Sequence, residues 1–224
     1  MRHLLTFIAV ILLVSCKDKS HTDKASTVPE NSIAITTNLR DSLGKVSFSI
    51  PAHFDTSFTW TNRSDCGKPC DHEQYRFQSK SFPIFKESGF YYDIPDISTD
   101  QFTIIHSGYF PFHNKIDTSK DFARHENFKS RLLSDPYNGD SFFDTIEKVD
   151  DRYYSIVYMS RFDSARQKHF AKVAALTTIK GNEIEFHYDL KKKDTIDKKK
   201  FFDNATLFIR TIRMRNLLAV VGVQ

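Results

Sequence analysis

Two cysteines separated by three residues are the most chemically distinctive feature of this sequence. Cys66 and Cys70 stand in the stretch SDCGKPCDHE, with His72 and three acidic residues beside them. Cysteine thiolates bind soft metal ions, exchange disulfides with other thiols, or pair as a structural cross-link. Because all three chemistries use such a pair, the compartment in which the chain resides must be established first.

The N-terminal residues indicate that the chain is exported. Arg2 and His3 form a short basic start, and residues 4–14 form an apolar run. A helix needs about 20 residues to cross a bilayer, whereas a run of this length is typical of a signal peptide. The run ends in LVSC, which resembles the lipobox of bacterial lipoproteins. That resemblance implies a signal peptide over residues 1–15 and attachment of a lipid to Cys16.

The residues after Cys16 indicate where the lipoprotein is expected. Lys17, Asp18 and Lys19 resemble the charged tags that direct some lipoproteins to the outer face of the outer membrane. We therefore expect an outer-membrane lipoprotein of the cell envelope that faces the periplasm or the surface and contacts the membrane through its lipid. Residues 16–34 are rich in polar side chains and predict a flexible tether, while residues 35–224 have the size of one domain.

Export favours a disulfide between Cys66 and Cys70. Once Cys16 carries a lipid, these two are the remaining thiols of the chain, and they form an even pair in an oxidising compartment. Gly67 and Pro69 lie between them, and both residue types are common in tight turns. A disulfide across so small a loop stabilises a folded state by about 2 kcal/mol on a chain-entropy estimate.

A metal site is the main alternative for the cysteine pair. The spacing resembles the C-x3-C motif of Sco-type copper chaperones, which use a distant histidine as a further ligand. The nearby ligands would be Cys66, Cys70 and His72. His106 or His113 would serve as the distant histidine, whereas Asp71 departs from the motif because that family has a proline there. A redox-active pair is the third alternative, although thioredoxin-type motifs have two intervening residues.

Hydrophobic patterns predict a sheet and two helices. Alternating apolar residues predict strands at residues 46–50, 75–78, 102–106, 153–162, 169–179 and 183–190. Apolar residues at helical spacing predict helices over residues 118–133 and 197–214. In the last strand, apolar residues at the even positions 184–190 alternate with Glu183, Glu185, His187 and Asp189. This alternation predicts an antiparallel sheet with one face in water.

This order of elements resembles the PsbP-like α/β/α fold over residues 45–214. The resemblance implies an α+β protein with a single antiparallel sheet and helices packed on it. It also implies a non-enzymatic role in binding or assembly, because most proteins with this fold are binding and assembly factors. The partner is expected to be an unknown protein or a glycan.

Other functional classes find little support in the sequence. The chain contains no G-x-S-x-G, H-E-x-x-H or P-loop motif, so we expect no catalysis and no cofactor. The basic run KKKDTIDKKK covers residues 191–200, but the net charge is only +4. No aromatic or glycine-rich pattern accompanies that run, so we expect no nucleic-acid partner. The alternative function is a thiol-based copper-binding or redox factor that uses Cys66 and Cys70.

Overall fold

The computed structural model describes residues 28–68, 70–86, 97–108, 120–135 and 138–215. The predicted signal peptide, Cys16 and His113 lie outside these ranges. Within them the chain forms ten strands and two helices. In chain order these are β1 (Ser32–Leu39), β2 (Gly44–Pro51), β3 (Thr56–Asn62), β4 (His72–Gln78), β5 (Thr99–Ser107), α1 (Phe122–Ser134), β6 (Asp140–Val149), β7 (Arg152–Asp163), β8 (Lys168–Ile179), β9 (Asn182–Lys192), α2 (Lys198–Arg210) and β10 (Arg213–Arg215).

The strands form two antiparallel sheets. One sheet has seven strands in the order β3-β4-β5-β9-β8-β7-β6, and the other has three in the order β1-β2-β10. β10 joins the small sheet by pairing with β2, where Arg213 lies opposite Ser47. The small sheet therefore unites the first described strands of the chain with the last one.

The hydrophobic core lies between the two sheets. The ring centroid of Phe48 on β2 lies 5.2 Å from that of Phe77 on β4 and 5.2 Å from that of Phe102 on β5. Tyr154 on β7 and Phe186 on β9 are fully buried in the same core. Side chains that interdigitate between two sheets in this way define a β-sandwich.

Helix α2 lies beside the three-stranded sheet and closes the same core. Its N-terminus is capped by Asp197, whose side chain accepts a hydrogen bond from the backbone N–H of Lys200. Its apolar face places Phe201 and Phe208 against Tyr188 of β9. In the parts of the chain that the structure describes, no helix is long and apolar enough to cross a membrane.

Helix α1 packs on the opposite face of the seven-stranded sheet. Asp121 caps it, and Phe128 and Leu132 pack against Val157 and Met159 of β7. The predicted helix over residues 118–133 is thus confirmed from its cap onward. α1 covers this face over β6, β7 and β8. It does not cover the polar part of the face, which lies on β4, β5 and β9.

The prediction of an α+β fold with a single antiparallel sheet covered by helices, as in the PsbP-like α/β/α sandwich, is wrong. The fold is a β-rich sandwich of a seven-stranded and a three-stranded sheet. Each of the six predicted strands lies within an observed one. However, the predicted closing helix ends at Arg210, and β10 follows it. The spacing of apolar residues does not show where α2 ends and β10 begins, because Ile212, which lies between them, is buried in the same core.

Candidate functional site

Polar side chains on the second face of the seven-stranded sheet form the floor of a cleft. The strand register aligns these side chains in three rows that run across neighbouring strands. The first row is Arg76, Thr103 and His187; the second is Gln78, Gln101, Asp189 and Lys172; the third is Thr99, Lys191, Phe170 and Arg161. Neighbouring strands lie about 4.8 Å apart, and successive rows about 7 Å apart along a strand. The floor is therefore wide enough to lie under a small molecule.

The cleft encloses about 410 Å³, a volume typical of small-molecule sites. Phe82 and Phe85 line it from the segment that follows β4, and Asp135 and Asn138 from the segment that follows α1. The side-chain amide of Gln78 donates hydrogen bonds to the carbonyl oxygens of residues 82 and 83, at 3.1 and 3.3 Å. The floor itself therefore holds one wall of the cleft in place.

This polar face is only partly open to water, whereas the β9 pattern predicts a face in water. Arg76 is 5% exposed, Gln78 3%, Thr103 3% and His187 8%. Alternation identifies the residues that share a face, but it does not reveal what covers that face. Long polar side chains are rarely buried to this extent unless they are paired or serve a site.

Lys172 is the best-anchored cation of the floor. Its Nζ donates a hydrogen bond to Oδ1 of Asn138 at 3.0 Å and lies 3.5 Å from Oδ1 of Asp189. Asn138 in turn donates from Nδ2 to the carbonyl oxygen of Leu132 in the last turn of α1. The end of α1 thus fixes the position of the Lys172 ammonium group inside the cleft.

Arg76 lies at the opposite side of the floor, against aromatic rings. Its guanidinium carbon is 4.7 Å from the ring centroid of Trp60 and 5.8 Å from that of Phe58, both on the edge strand β3. Arg76 also donates a hydrogen bond to the carbonyl oxygen of Phe85 at 2.8 Å. Because Trp60 is the chain's single tryptophan, its fluorescence reports on this side of the cleft.

The charges that line the cleft favour an anion. The basic residues are Arg76, Arg161, Arg166, Lys172 and Lys191. The acidic side chains are Asp135 and Asp189, together with Asp163, which pairs with Arg166 at 3.0 Å. An excess of two positive charges in a concave, partly desolvated site raises the local concentration of small anions.

The hydroxyl group of Thr103 has no hydrogen-bond partner among the described residues. Its Oγ1 is buried and makes no hydrogen bond to any other residue in the described ranges. A buried polar group without a partner costs about 1–3 kcal/mol. Thr103 lines the cleft, but its Oγ1 is covered there, so a bound molecule supplies the missing partner by displacing a neighbouring side chain.

Two buried carboxylates next to the floor have opposite pKa shifts. Burial alone would raise the pKa of Glu185, but hydrogen bonds and charges from His187 and Arg131, both at 2.8 Å, lower that pKa to about 2. Burial raises the pKa of Asp100, although His53 Nε2 hydrogen-bonds to its Oδ2 at 2.9 Å. Glu185 is therefore ionised at neutral pH and holds the imidazole of His187 in position.

The predicted cysteine pair lies outside the cleft. Cys66 and Cys70 form a disulfide in the loop between β3 and β4, with their Cα atoms 5.8 Å apart. The loop is tight, because the backbone N–H of Cys70 donates to the carbonyl oxygen of Gly67 at 2.9 Å. Gly67 has φ +77°, a conformation that favours glycine. The Cα separation therefore lies in the range that a disulfide bridges.

Breaking this cross-link is expected to have a limited effect on stability. Replacing both Cys66 and Cys70 with serine should lower the free energy of unfolding by about 2 kcal/mol, because the disulfide closes a short loop. Urea unfolding with and without a reductant measures this change, and the double variant should not respond to reductant. An equal stability of reduced and oxidised protein would contradict a stabilising cross-link.

Of the histidines proposed as metal ligands, the structure describes His72 and His106. His72 is exposed on β4, and His106 is buried on β5. The hydroxyl of Tyr75 lies 3.1 Å from Nε2 of His106, whose Nδ1 lies 2.8 Å from the carbonyl oxygen of Ser107. Burial lowers the pKa of His106. Within the described ranges no three His, Cys, Asp or Glu side chains are arranged to hold a metal ion, and the copper or redox hypothesis stays a prediction.

Sequence reasoning missed the residues of the cleft floor. The available signal was the stretch QYRFQ, in which Gln74, Arg76 and Gln78 alternate with Tyr75 and Phe77. Three long polar side chains on one face of a strand indicate a polar face. Only the pairing of β4 with β5, and of β5 with β9, places the polar faces of these strands side by side.

Comparisons with models of known protein families and with curated proteins found no match. The chemistry of the cleft is therefore the basis on which a function can be proposed.

Proposed function

We propose that this chain is an exported lipoprotein, anchored in the cell envelope through Cys16, whose domain binds a small, negatively charged, polar molecule in the cleft. Binding without chemical change is the proposed role. The observation that carries the proposal is the excess of basic over acidic side chains around a partly buried polar floor.

The physical support comes from the cost of building such a floor. Burying cations and amides lowers stability unless their charges and hydrogen bonds are compensated. In this cleft the compensation is partial, because Lys172 has Asp189 and Asn138 as partners while the hydroxyl of Thr103 has none among the described residues. An anionic ligand that forms hydrogen bonds would supply the missing charges and hydrogen-bond partners. A floor that a ligand completes in this way is what a binding site requires.

The test is a titration of Trp60 fluorescence in the full chain, purified in detergent. The anionic probes are sodium D-galacturonate, sodium citrate and inorganic phosphate, and the uncharged and cationic probes are D-galactose and choline. We expect at least one anion to bind at least tenfold more tightly than galactose or choline. If no anion binds more tightly than choline does, the proposed function is wrong.

A variant whose cleft is filled by a larger side chain is the matched comparison for the wild-type titration. Gln101 is half-buried in the middle of the floor, so Gln101→Phe should occupy the space of the ligand and weaken binding at least tenfold. Ala34→Phe adds a phenyl ring at an exposed position of β1 on the other sheet and should leave binding unchanged. Equal affinities of Gln101→Phe and wild type would place the ligand elsewhere.

The anchor has its own test in a diderm bacterial host. Wild-type protein should enter the membrane fraction and incorporate an alkynyl palmitate label, whereas Cys16→Ser should not be labelled, because the thioether forms on that sulfur. The double variant with serine at positions 66 and 70 is the control and should be labelled like wild type. Labelling of Cys16→Ser at the wild-type level would contradict lipidation at Cys16.

A further inference from the structure

We infer that the cleft binds a sugar acid, with its carboxylate at the β7–β8 side of the floor and its hydroxyl groups over Gln101 and Thr103. This inference rests on the proposed function and adds the class of ligand and its orientation. Three features of the floor carry it: the position of the cations, the chemistry of the uncharged residues, and the acids that lie among them.

Four of the five cations that line the cleft are concentrated at one side of the floor, and the fifth, Arg76, lies beside Thr103 at the other side. Lys172 on β8, Arg161 on β7 and Lys191 on β9 occupy neighbouring positions of the second and third rows. Arg166 joins them from the turn between β7 and β8, where its side chain is bound to Asp163 at 3.0 Å. A carboxylate prefers such a cluster, because charge-assisted hydrogen bonds are stronger than neutral ones.

The other side of the floor has the chemistry that recognises hydroxyl groups. Gln74 and Gln101 supply amides, which both donate and accept hydrogen bonds, whereas the amide nitrogen of Gln78 is already bonded to the carbonyl oxygens of residues 82 and 83. Thr103 lies between the amides and has a buried hydroxyl with no partner in the described ranges. A sugar hydroxyl is both a donor and an acceptor, so it can satisfy this group in either direction.

The acids in the floor argue against a phosphate ligand and favour a sugar acid. Asp189 stands between Gln101 and Lys172 in the second row, 3.5 Å from Lys172 Nζ, and Asp135 lines the cleft from the segment that follows α1. Their carboxylates would repel a dianion but accept hydrogen bonds from hydroxyl groups. Phe85 and Phe170 are half-exposed in the cleft and offer apolar surface to the C–H groups of a sugar ring.

Titrations of the full chain with paired sugars test the inference. The probes are D-galacturonate and D-glucuronate, their parent sugars D-galactose and D-glucose, and citrate and phosphate. We expect at least one uronate to bind at least tenfold more tightly than its parent sugar and more tightly than citrate or phosphate. If citrate or phosphate binds best, in a manner sensitive to Gln101→Phe, the inference is wrong while the proposed function stands. If no anion binds, both fail.

Two substitutions at Thr103 test the orientation. Thr103→Val keeps the shape of the side chain and removes the unpartnered hydroxyl, so it should weaken uronate binding five- to tenfold without lowering the melting temperature. Thr103→Ser keeps the hydroxyl and should retain affinity within twofold. Equal uronate affinities for the valine variant and wild type would overturn the proposed contact with Thr103.

Discussion

Replacing Phe48 with alanine is expected to lower the free energy of unfolding by about 3–5 kcal/mol, the usual cost of removing a phenyl ring from a packed core. Phe48 belongs to the three-stranded sheet, but its ring packs on Phe77 and Phe102 of the seven-stranded sheet, each at 5.2 Å between centroids. It is 2% exposed. The loss therefore measures the contact between the two layers of the sandwich.

Urea unfolding of the variant, beside two controls, measures this effect. Ile33→Ala removes an apolar side chain that is 38% exposed on β1 of the same sheet, and it should cost about 1 kcal/mol or less. Phe48→Leu fills part of the space and should cost less than alanine does, so it provides a folded variant if the alanine protein is unstable. If Phe48→Ala costs no more than Ile33→Ala, the two sheets do not pack as described.

Acidification is expected to remove about 2–3 kcal/mol of stability through Glu185 alone. Its pKa is about 2 in the folded protein, below the ordinary value of 4.5. A lowered pKa contributes stability that is fully present above the ordinary value and is lost as the pH falls towards the folded value. The loss should therefore occur between about pH 4.5 and pH 2.

The dependence of the unfolding free energy on pH measures the contribution of Glu185. Glu185→Gln keeps the shape of the side chain but cannot titrate, so its unfolding free energy should fall less than that of wild type between pH 5 and pH 2. Glu183→Gln on the same strand is the control, because Glu183 is about half exposed and should contribute little to the slope. Parallel curves for wild type and Glu185→Gln would show that Glu185 does not carry the effect.

The strands were predictable where apolar and polar residues alternate along a single stretch of the sequence. The alternation in β9 and the glycine turn before it gave the strand and the residues of each face. β10 was not predictable, because its partner β2 lies far away in the sequence and the strand itself has three residues. The second sheet also contains the hairpin of β1 and β2, which the sequence analysis did not predict, so the fold class was wrongly predicted.

The candidate site was less predictable than the strands for a related reason. Cys66 and Cys70 lie close together in the sequence, so their pairing follows from local spacing and loop geometry. The cleft floor combines side chains from β4, β5, β7, β8 and β9, and their register joins residues as distant as Gln78 and Lys172. The pattern within one strand indicates that the strand has a polar face. It does not show which other strands lie beside it and complete the site.

A crystal structure of the full chain with D-galacturonate would show whether the cleft is the binding site. We expect the sugar ring in the cleft, with its carboxylate within about 3 Å of Lys172 Nζ or of an arginine guanidinium at the β7–β8 side. A hydroxyl group should lie within hydrogen-bond distance of Thr103 Oγ1. If the cleft stays empty while the ligand binds beside the Cys66–Cys70 loop, the cleft is not the binding site.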